Sequence, residues 1–252
     1  MAWQFATYPS LKEAVVLVTG GASGIGEATV RAFAEQGSRV GFVDIDVDRG
    51  QRLAAELGTT VHFESCDLRD IEALKAAFAR LRAATGPVGV LVNNAARDDR
   101  HRWDEVTPSY YDERIATNLR HMFFAIKAVA PDMIAASKGS IINFGSVSWW
   151  EGSGGMPIYL TAKAAVHGMT RSFARDLGPH RIRVNTVVPG WVMTDRQKEL
   201  YRTPEGVARR LERQCLPSLI EPNDLARMVL FLASDDAAMC TANNYMVEAG
   251  SI

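Results

Sequence analysis

The chain has 252 residues, 47% of them hydrophobic and 23% charged, the balance of an ordinary soluble globular protein rather than a disordered, collagenous or coiled-coil one. Its 28 basic and 29 acidic residues leave a formal net charge of -1, so no global field draws in nucleic acid or an anionic membrane surface. Cys66, Cys215 and Cys240 form no Cys-x-x-Cys pair and have no His at metal-ligand spacing, which argues for a reduced, cytoplasmic setting without a metal site.

The opening MAWQFATYPSLKEA lacks the charged start and unbroken apolar core of a signal peptide, and no run reaches the roughly 18 apolar residues of a membrane span. From residue 15 onward, β-branched apolar runs alternate with patterns of helical period. Strands are predicted at 15–19, 40–43, 61–64, 90–93, 140–144 and 183–188, and helices at 25–36, 47–57, 71–83, 110–137 and 158–177. Strictly alternating strands and helices predict an α/β fold: one Rossmann-type, doubly wound parallel sheet flanked by helices, in a single domain over 1–252. Ligands of such sheets bind beyond the carboxyl ends of the strands. Residues 190–221 depart from the rhythm as a polar loop with short helices, ahead of a helix at 223–233, and are expected to form a substrate lid. Within them Arg209, Arg210 and Arg213 read as a solvated helix face.

The segment TGGASGIG ends the first strand and opens the first helix. Gly20, Gly24 and Gly26 permit a tight turn and close backbone approach, while Ser23 and Ile25 bring N–H groups and the positive helix end to a dinucleotide pyrophosphate. The segment is not a P-loop, which counts against phosphoryl transfer. Asp44 ends the second strand, about 20 residues on, where a carboxylate accepts from both adenosine ribose hydroxyls. It also repels a 2′-phosphate by roughly 4 kcal/mol per unit of like charge at about 4 Å and an effective dielectric near 20, so the predicted cofactor is NAD.

On the helix that starts near Pro157, Tyr159 and Lys163 stand one turn apart on one face. Alone, such a pair means little. It gains weight from Ser146, just beyond the fifth strand, and from Asn118 in the long preceding helix. A tyrosine of pKa about 10 needs near 4 kcal/mol of preferential phenolate stabilisation to reach about 7. A cation about 5 Å away contributes roughly 3 kcal/mol, so Lys163 together with an oxidised nicotinamide is expected to suffice.

These motifs resemble the short-chain dehydrogenase/reductase family over essentially the whole chain. TGGASGIG resembles its TGxxxGIG, CDL at 66–68 its adenine-contacting Asp, NNAA at 93–96 its NNAG, and PGWVMT its PGxxxT beside the nicotinamide. The resemblance implies a catalytic tetrad of Asn118, Ser146, Tyr159 and Lys163, with Asn118 anchoring a water that relays the proton. It implies cofactor contacts at Asp67, Leu68, Asn94, Ala95, Tyr159, Lys163, Pro189, Gly190, Val192 and Thr194. A homotetramer built through the long helices is implied as well. Ala96, and Glu248-Ala249-Gly250 in place of a Gly-rich triplet, depart from the pattern and put local loop geometry in question.

Asp98, Arg100, Ser148, Trp149 and Trp191 fall after strands or in the lid, so they join Ser146 and Tyr159 as expected substrate contacts. Vicinal hydroxyls need several donors and acceptors, and sugar C–H faces pack on indole, so a polyhydroxylated substrate suits this mixture better than an acyl chain. NNAARDDRH, NLRHM, INFGSVSW, TPEG and LFLASDDA further resemble the bacterial aldose 1-dehydrogenases, notably the D-xylose 1-dehydrogenase branch. That resemblance implies NAD-dependent oxidation of the anomeric hydroxyl of a pentose, hexose or deoxyhexose to the aldonolactone. The competing readings are a 3-oxoacyl or other carbonyl reductase with the same tetrad, and an NAD-sensing protein without turnover.

Overall fold

In the computed structural model, which describes residues 6–252, the strands are β1 (Val15–Thr19), β2 (Arg39–Asp44), β3 (Val61–Ser65), β4 (Val90–Asn93), β5 (Gly139–Phe144), β6 (Ile182–Pro189) and β7 (Asn244–Val247). The helices are α1 (Gly24–Glu35), α2 (Val47–Leu57), α3 (Ile71–Thr85), α4 (Pro108–Ile115), α5 (His121–Ala136), α6 (Pro157–Leu177), α7 (Asp195–Leu200), α8 (Pro204–Arg213) and α9 (Pro222–Ala233). The reading of the opening fourteen residues rests partly on 1–5, which lie outside the described residues.

Every strand pairing is parallel, in the order β3-β2-β1-β4-β5-β6-β7. The chain order reverses between β1 and β4, and the gap there opens at the carboxyl ends of the strands. Strand side chains alternate between two cores. Val16 and Val18 join Phe33 of α1, Leu53 of α2 and Leu230 of α9 on one face, while Val15 and Leu17 join Leu74 of α3, Ile126 of α5 and Leu177 of α6 on the other. Burial on both faces is what the near-continuous β-branched runs require.

Helix starts follow local chemistry. Asp46 and Asp70 accept backbone N–H groups at the starts of α2 and α3, and proline opens α4, α6, α8 and α9. The sheet gains a seventh strand, β7, that the sequence reading did not foresee. The predicted helix 110–137 is also not one regular helix, because α4 and α5 are joined by a π-helical stretch, Ala116–Arg120. Asn118 is the physical cause: its Nδ2 donates to the Arg114 carbonyl, diverting a group that belongs to the helical ladder.

Among the described residues, no helix is long and apolar enough to cross a membrane.

Candidate active site

A cleft of about 550 Å³ lies over the carboxyl ends of the strands. At its floor Gly20 and Gly24 take the left-handed φ values of 67° and 57° that glycine adopts without strain. Gly26 is required for another reason: a Cβ there would sit 1.8 Å from the Gly20 carbonyl oxygen. The turn is held from the neighbouring strand, where Asn94 Nδ2 donates to Thr19 O at 3.1 Å and to Gly20 O at 2.9 Å. Thr19 Oγ1 in turn accepts the N–H groups of Asn94 and Ala95. Ser23 caps α1 without a side-chain bond to the helix, so its side chain leaves the first-turn N–H groups open to a phosphate.

At one end of the cleft, Asp44 accepts from the N–H groups of Ala22 at 2.9 Å and Asp46 at 3.1 Å. Arg49 also lines the cleft, but its guanidinium lies 3.6 Å from Asp46 in an exposed pair. Asp67 is held well below the usual carboxylate range by hydrogen bonds from Arg69, and Leu68 lies beside it on the cleft wall. Pro189, Gly190, Val192 and Thr194 line the other side, and Thr194 Cγ2 is close enough to Gly24 that a Cβ there would come within 3.0 Å of it.

In the middle, Lys163 is 1% exposed and donates from Nζ to the Phe144 carbonyl at 2.7 Å. Its ammonium lies 5.7 Å from the Tyr159 ring centroid. Ser146 Oγ meets Ser148 Oγ at 3.1 Å and lies in the cleft near enough to Tyr159 to hold its pKa down. Tyr159 is partly exposed on the cleft wall, yet desolvation pushes its pKa up to about 12, with Ser146 and Arg100 opposing and Asp98 reinforcing the rise. Desolvation likewise brings Lys163 down to about 7. Both shifts come first from burial, and the expected lowering of the phenol rests on Lys163 and an oxidised nicotinamide acting together.

Asn118 sits behind the cleft, in the π-helical stretch between α4 and α5. It is fully buried and absent from the cleft lining; its Oδ1 accepts Arg97 N–H at 2.8 Å while Nδ2 serves Arg114 O. With both ends of its side chain engaged, it shapes the π-helical stretch and fixes the loop after β4.

At the outer end, the cleft is rimmed by Asp98, Arg100, Ser148 and Trp191 as the sequence suggested. Trp149 is corrected: it is not part of the lining, and its indole N–H is given to His167. Residues from the 190–221 segment reach across to the loop after β4. Arg196 pairs with Asp99 at 2.6 Å, Gln197 Nε2 donates to Asp98 at 2.8 Å, and Trp191 Nε1 donates to Gln197 Oε1 at 2.9 Å. Arg210 also departs from its solvated reading: it lines the cleft and pairs at 2.6 Å with Glu151, whose side chain is 5% exposed. The sequence reading missed Glu151, Arg196, Gln197 and Arg210 as cleft residues. Its one available signal was the position of 195–197 directly after PGWVMT.

The two departures at loops resolve simply. Ala96 carries no left-handed strain, whereas Ala249 does, at φ 60°, in a turn where Glu248 accepts the N–H groups of Gly250 and Ser251.

Residues 20–251 match the family model described as enoyl-(acyl carrier protein) reductase. The chain is 51% identical over 248 residues to D-xylose 1-dehydrogenase of Caulobacter vibrioides, covering 97% of this chain and 98% of that protein. The chain belongs to the short-chain dehydrogenase/reductase family. Another similar protein is the probable galactose dehydrogenase GalD of Rhizobium meliloti, 47% identical over 247 residues, with 96% of each chain covered. The short-chain dehydrogenase fold is equally plain in the crystal structure of a putative short-chain alcohol dehydrogenase from Sinorhizobium meliloti 1021. That structure matches with TM-score 0.91 at 28% identity, over 96% of this chain and 98% of its own. Short-chain dehydrogenases work with a nicotinamide cofactor, and the glycine turn fits one, since Gly20, Ser23, Gly24 and Ile25 line the cleft where the first-turn N–H groups of α1 have no side-chain cap.

Proposed function

We propose that this protein oxidises the anomeric hydroxyl of an aldose with NAD and releases the aldonolactone. The observation that carries the reading is the meeting, in one cleft, of Tyr159, Lys163 and Ser146 with a rim of hydrogen-bonding groups and one indole: Asp98, Arg100, Ser148, Glu151, Gln197 and Trp191. Such a rim matches a ring that presents hydroxyls on its edge and C–H bonds on its faces. The similarity to a D-xylose and a probable galactose dehydrogenase supports the same substrate class.

Gly20, Ser23, Gly24, Ile25 and Gly26 would hold the pyrophosphate, Asp44 the adenosine ribose, Asp67 and Leu68 the adenine, and Asn94, Ala95, Pro189, Gly190, Val192 and Thr194 the nicotinamide half. Asp44, its carboxylate at the end of β2 where the adenosine ribose would lie, favours NAD over NADP. When bound, NAD supplies the acceptor for the hydride that leaves the anomeric carbon.

The protein's own groups handle the proton. Ser146 donates to the substrate oxygen and holds it beside the phenol, where Tyr159 as phenolate takes the hydroxyl proton while the carbon–oxygen double bond forms. Lys163, drawn to the Phe144 carbonyl, stands behind the ring and favours the phenolate once it carries its own proton. The 190–221 segment serves as a lid, tied to the β4 loop through Arg196 and Gln197 and to the β5 loop through Arg210. The three free cysteines suit a reducing compartment such as the cytoplasm. Phe123 of α5, 47% exposed and packed at a tilt against Phe173 of α6, supports assembly of a homotetramer through these helices.

The experiment is direct. The protein is mixed with NAD and, separately, D-xylose, L-arabinose, D-galactose or L-fucose, and the absorbance of reduced nicotinamide is followed. Reduction with at least one sugar and release of its lactone are expected. Silence with every aldose, together with reduction of ketone substrates, would replace this reading by that of a carbonyl reductase.

A further inference from the structure

Behind the Ser146 segment lies a cluster that the proton chemistry above does not use. His167 follows Lys163 by one turn on α6 and shares its inward face. Its Nε2 accepts the Trp149 indole N–H at 3.0 Å, and its Nδ1 faces Asn244 Oδ1 on β7. The Trp150 ring stands edge-on to the imidazole with centroids 4.7 Å apart, and the two indoles overlap at 3.8 Å. Gly145, immediately before Ser146, is packed on the same ring: a Cβ there would lie 3.1 Å from His167 Nε2.

Only one form of the ring satisfies both neighbours. With Nδ1 protonated and donating to Asn244, Nε2 is left as the acceptor that the indole needs. Building on the sugar-oxidation reading, we propose that His167 is a positioning residue for that reaction. Its neutral ring anchors Trp149 and thereby fixes residues 145–150, which carry Ser146 and Ser148 to the substrate oxygen. The groups facing it are Lys163 on its own helix, Asn244 on β7 and the two indoles, of which Lys163 alone ionises.

Protonation would turn Nε2 into a donor pointed at another donor and add a second cation near Lys163. Burial already holds the imidazole below its ordinary value of 6.5, so the anchor is intact at neutral pH and fails on acidification.

The test uses the full-length protein with NAD and whichever aldose turns over best. His167→Phe fills the volume but neither accepts nor donates, and should lower kcat by about 10- to 100-fold. The KM for NAD should then move by less than about twofold, since the glycine cradle is untouched. His167→Gln retains an acceptor and a donor and should restore most of kcat while removing the steeper acid limb that His167 protonation adds to the gradual Tyr159 slope. Asn244→Asp places a carboxylate at Nδ1 and should move that limb to higher pH. Wild-type kcat in His167→Phe, or an acid limb that Asn244→Asp leaves in place, overturns the proposal.

A second readout does not depend on the substrate assignment. A protonated imidazole quenches adjoining indoles, so tryptophan emission should titrate in the wild type and not in His167→Gln. If no aldose is oxidised, the function reading falls by itself. An emission midpoint that persists in His167→Gln would then overturn the role of His167 separately.

Discussion

The Phe144 carbonyl receives the Lys163 ammonium at 2.7 Å, in an interior where the lysine is 1% exposed. Burial brings this lysine from 10.5 down to about 7, so the folded protein without cofactor binds its proton more weakly than the unfolded chain does. Stability of the cofactor-free protein should therefore climb as pH rises from 7 towards 10.5, until tyrosine and cysteine ionisation intervenes. Lys163→Met removes the buried charge at the cost of one hydrogen bond. It should stabilise the cofactor-free protein at pH 7 by about 2 kcal/mol while abolishing turnover. Thermal unfolding across pH checks both parts, and a lower Tm for the variant would contradict the argument.

Tyr159 carries the complementary prediction. Its pKa of about 12 in the cofactor-free cleft means that the basic form is scarce at pH 7. Aldose oxidation should therefore keep accelerating from neutral to alkaline pH, and the reverse reduction should slow over the same range. Tyr159→Phe should bind NAD with nearly unchanged affinity and show no turnover. Measuring NAD binding by calorimetry beside steady-state rates separates these effects, and residual turnover near the wild-type level would remove the phenol from the mechanism.

Much of this site is legible in the chain because the sheet converts sequence order into spatial order. Strands 15–19 and 90–93 were bounded to the residue, and their carboxyl ends deliver Gly20 and Asn94 to each other. What stayed hidden has physical causes. Strand Asn244–Val247 is short and lies at the edge of the sheet, with Asn244 and Met246 exposed, so it lacks the apolar run that marked the other strands. The π-helical break arises from a side-chain bond of Asn118, which leaves hydrophobic periodicity intact on both sides. Arg210 reads as part of a solvated face, and Arg196 and Gln197 carry no signal of their own within the lid, because their partners Glu151, Asp99 and Asp98 lie far away in sequence and meet them only across the cleft.

Asp44 offers a clean test of cofactor choice. Its two carboxylate oxygens accept separately from Ala22 and Asp46, so Asp44→Asn keeps one of these bonds and loosens the other, a local cost that thermal unfolding reads apart from cofactor choice. Loss of the negative charge should lower kcat/KM with NAD and raise it with NADP, narrowing the preference by about 10- to 100-fold. Equal use of the two cofactors by the wild-type protein would dismiss Asp44 as the discriminator.

The pair Glu151 and Arg210 joins the β5 loop to the 190–221 segment, with side chains 5% and 16% exposed. Removing Arg210 leaves the Glu151 carboxylate with only the longer 3.7 Å contact to the exposed Arg213, whereas removing both members of the pair leaves no buried charge. Arg210→Met should therefore destabilise the protein by about 2 kcal/mol, less than a fully enclosed pair because the cleft admits water to the carboxylate. It should also raise the KM for the sugar by releasing helix Pro204–Arg213 from the cleft. Adding Glu151→Gln should recover most of the stability, giving a coupling energy in a double-mutant cycle by thermal unfolding. The KM should stay high in the double variant, since the tie across the cleft is still broken. If the two substitutions prove additive in stability, the pair is solvated in solution and does not hold this segment.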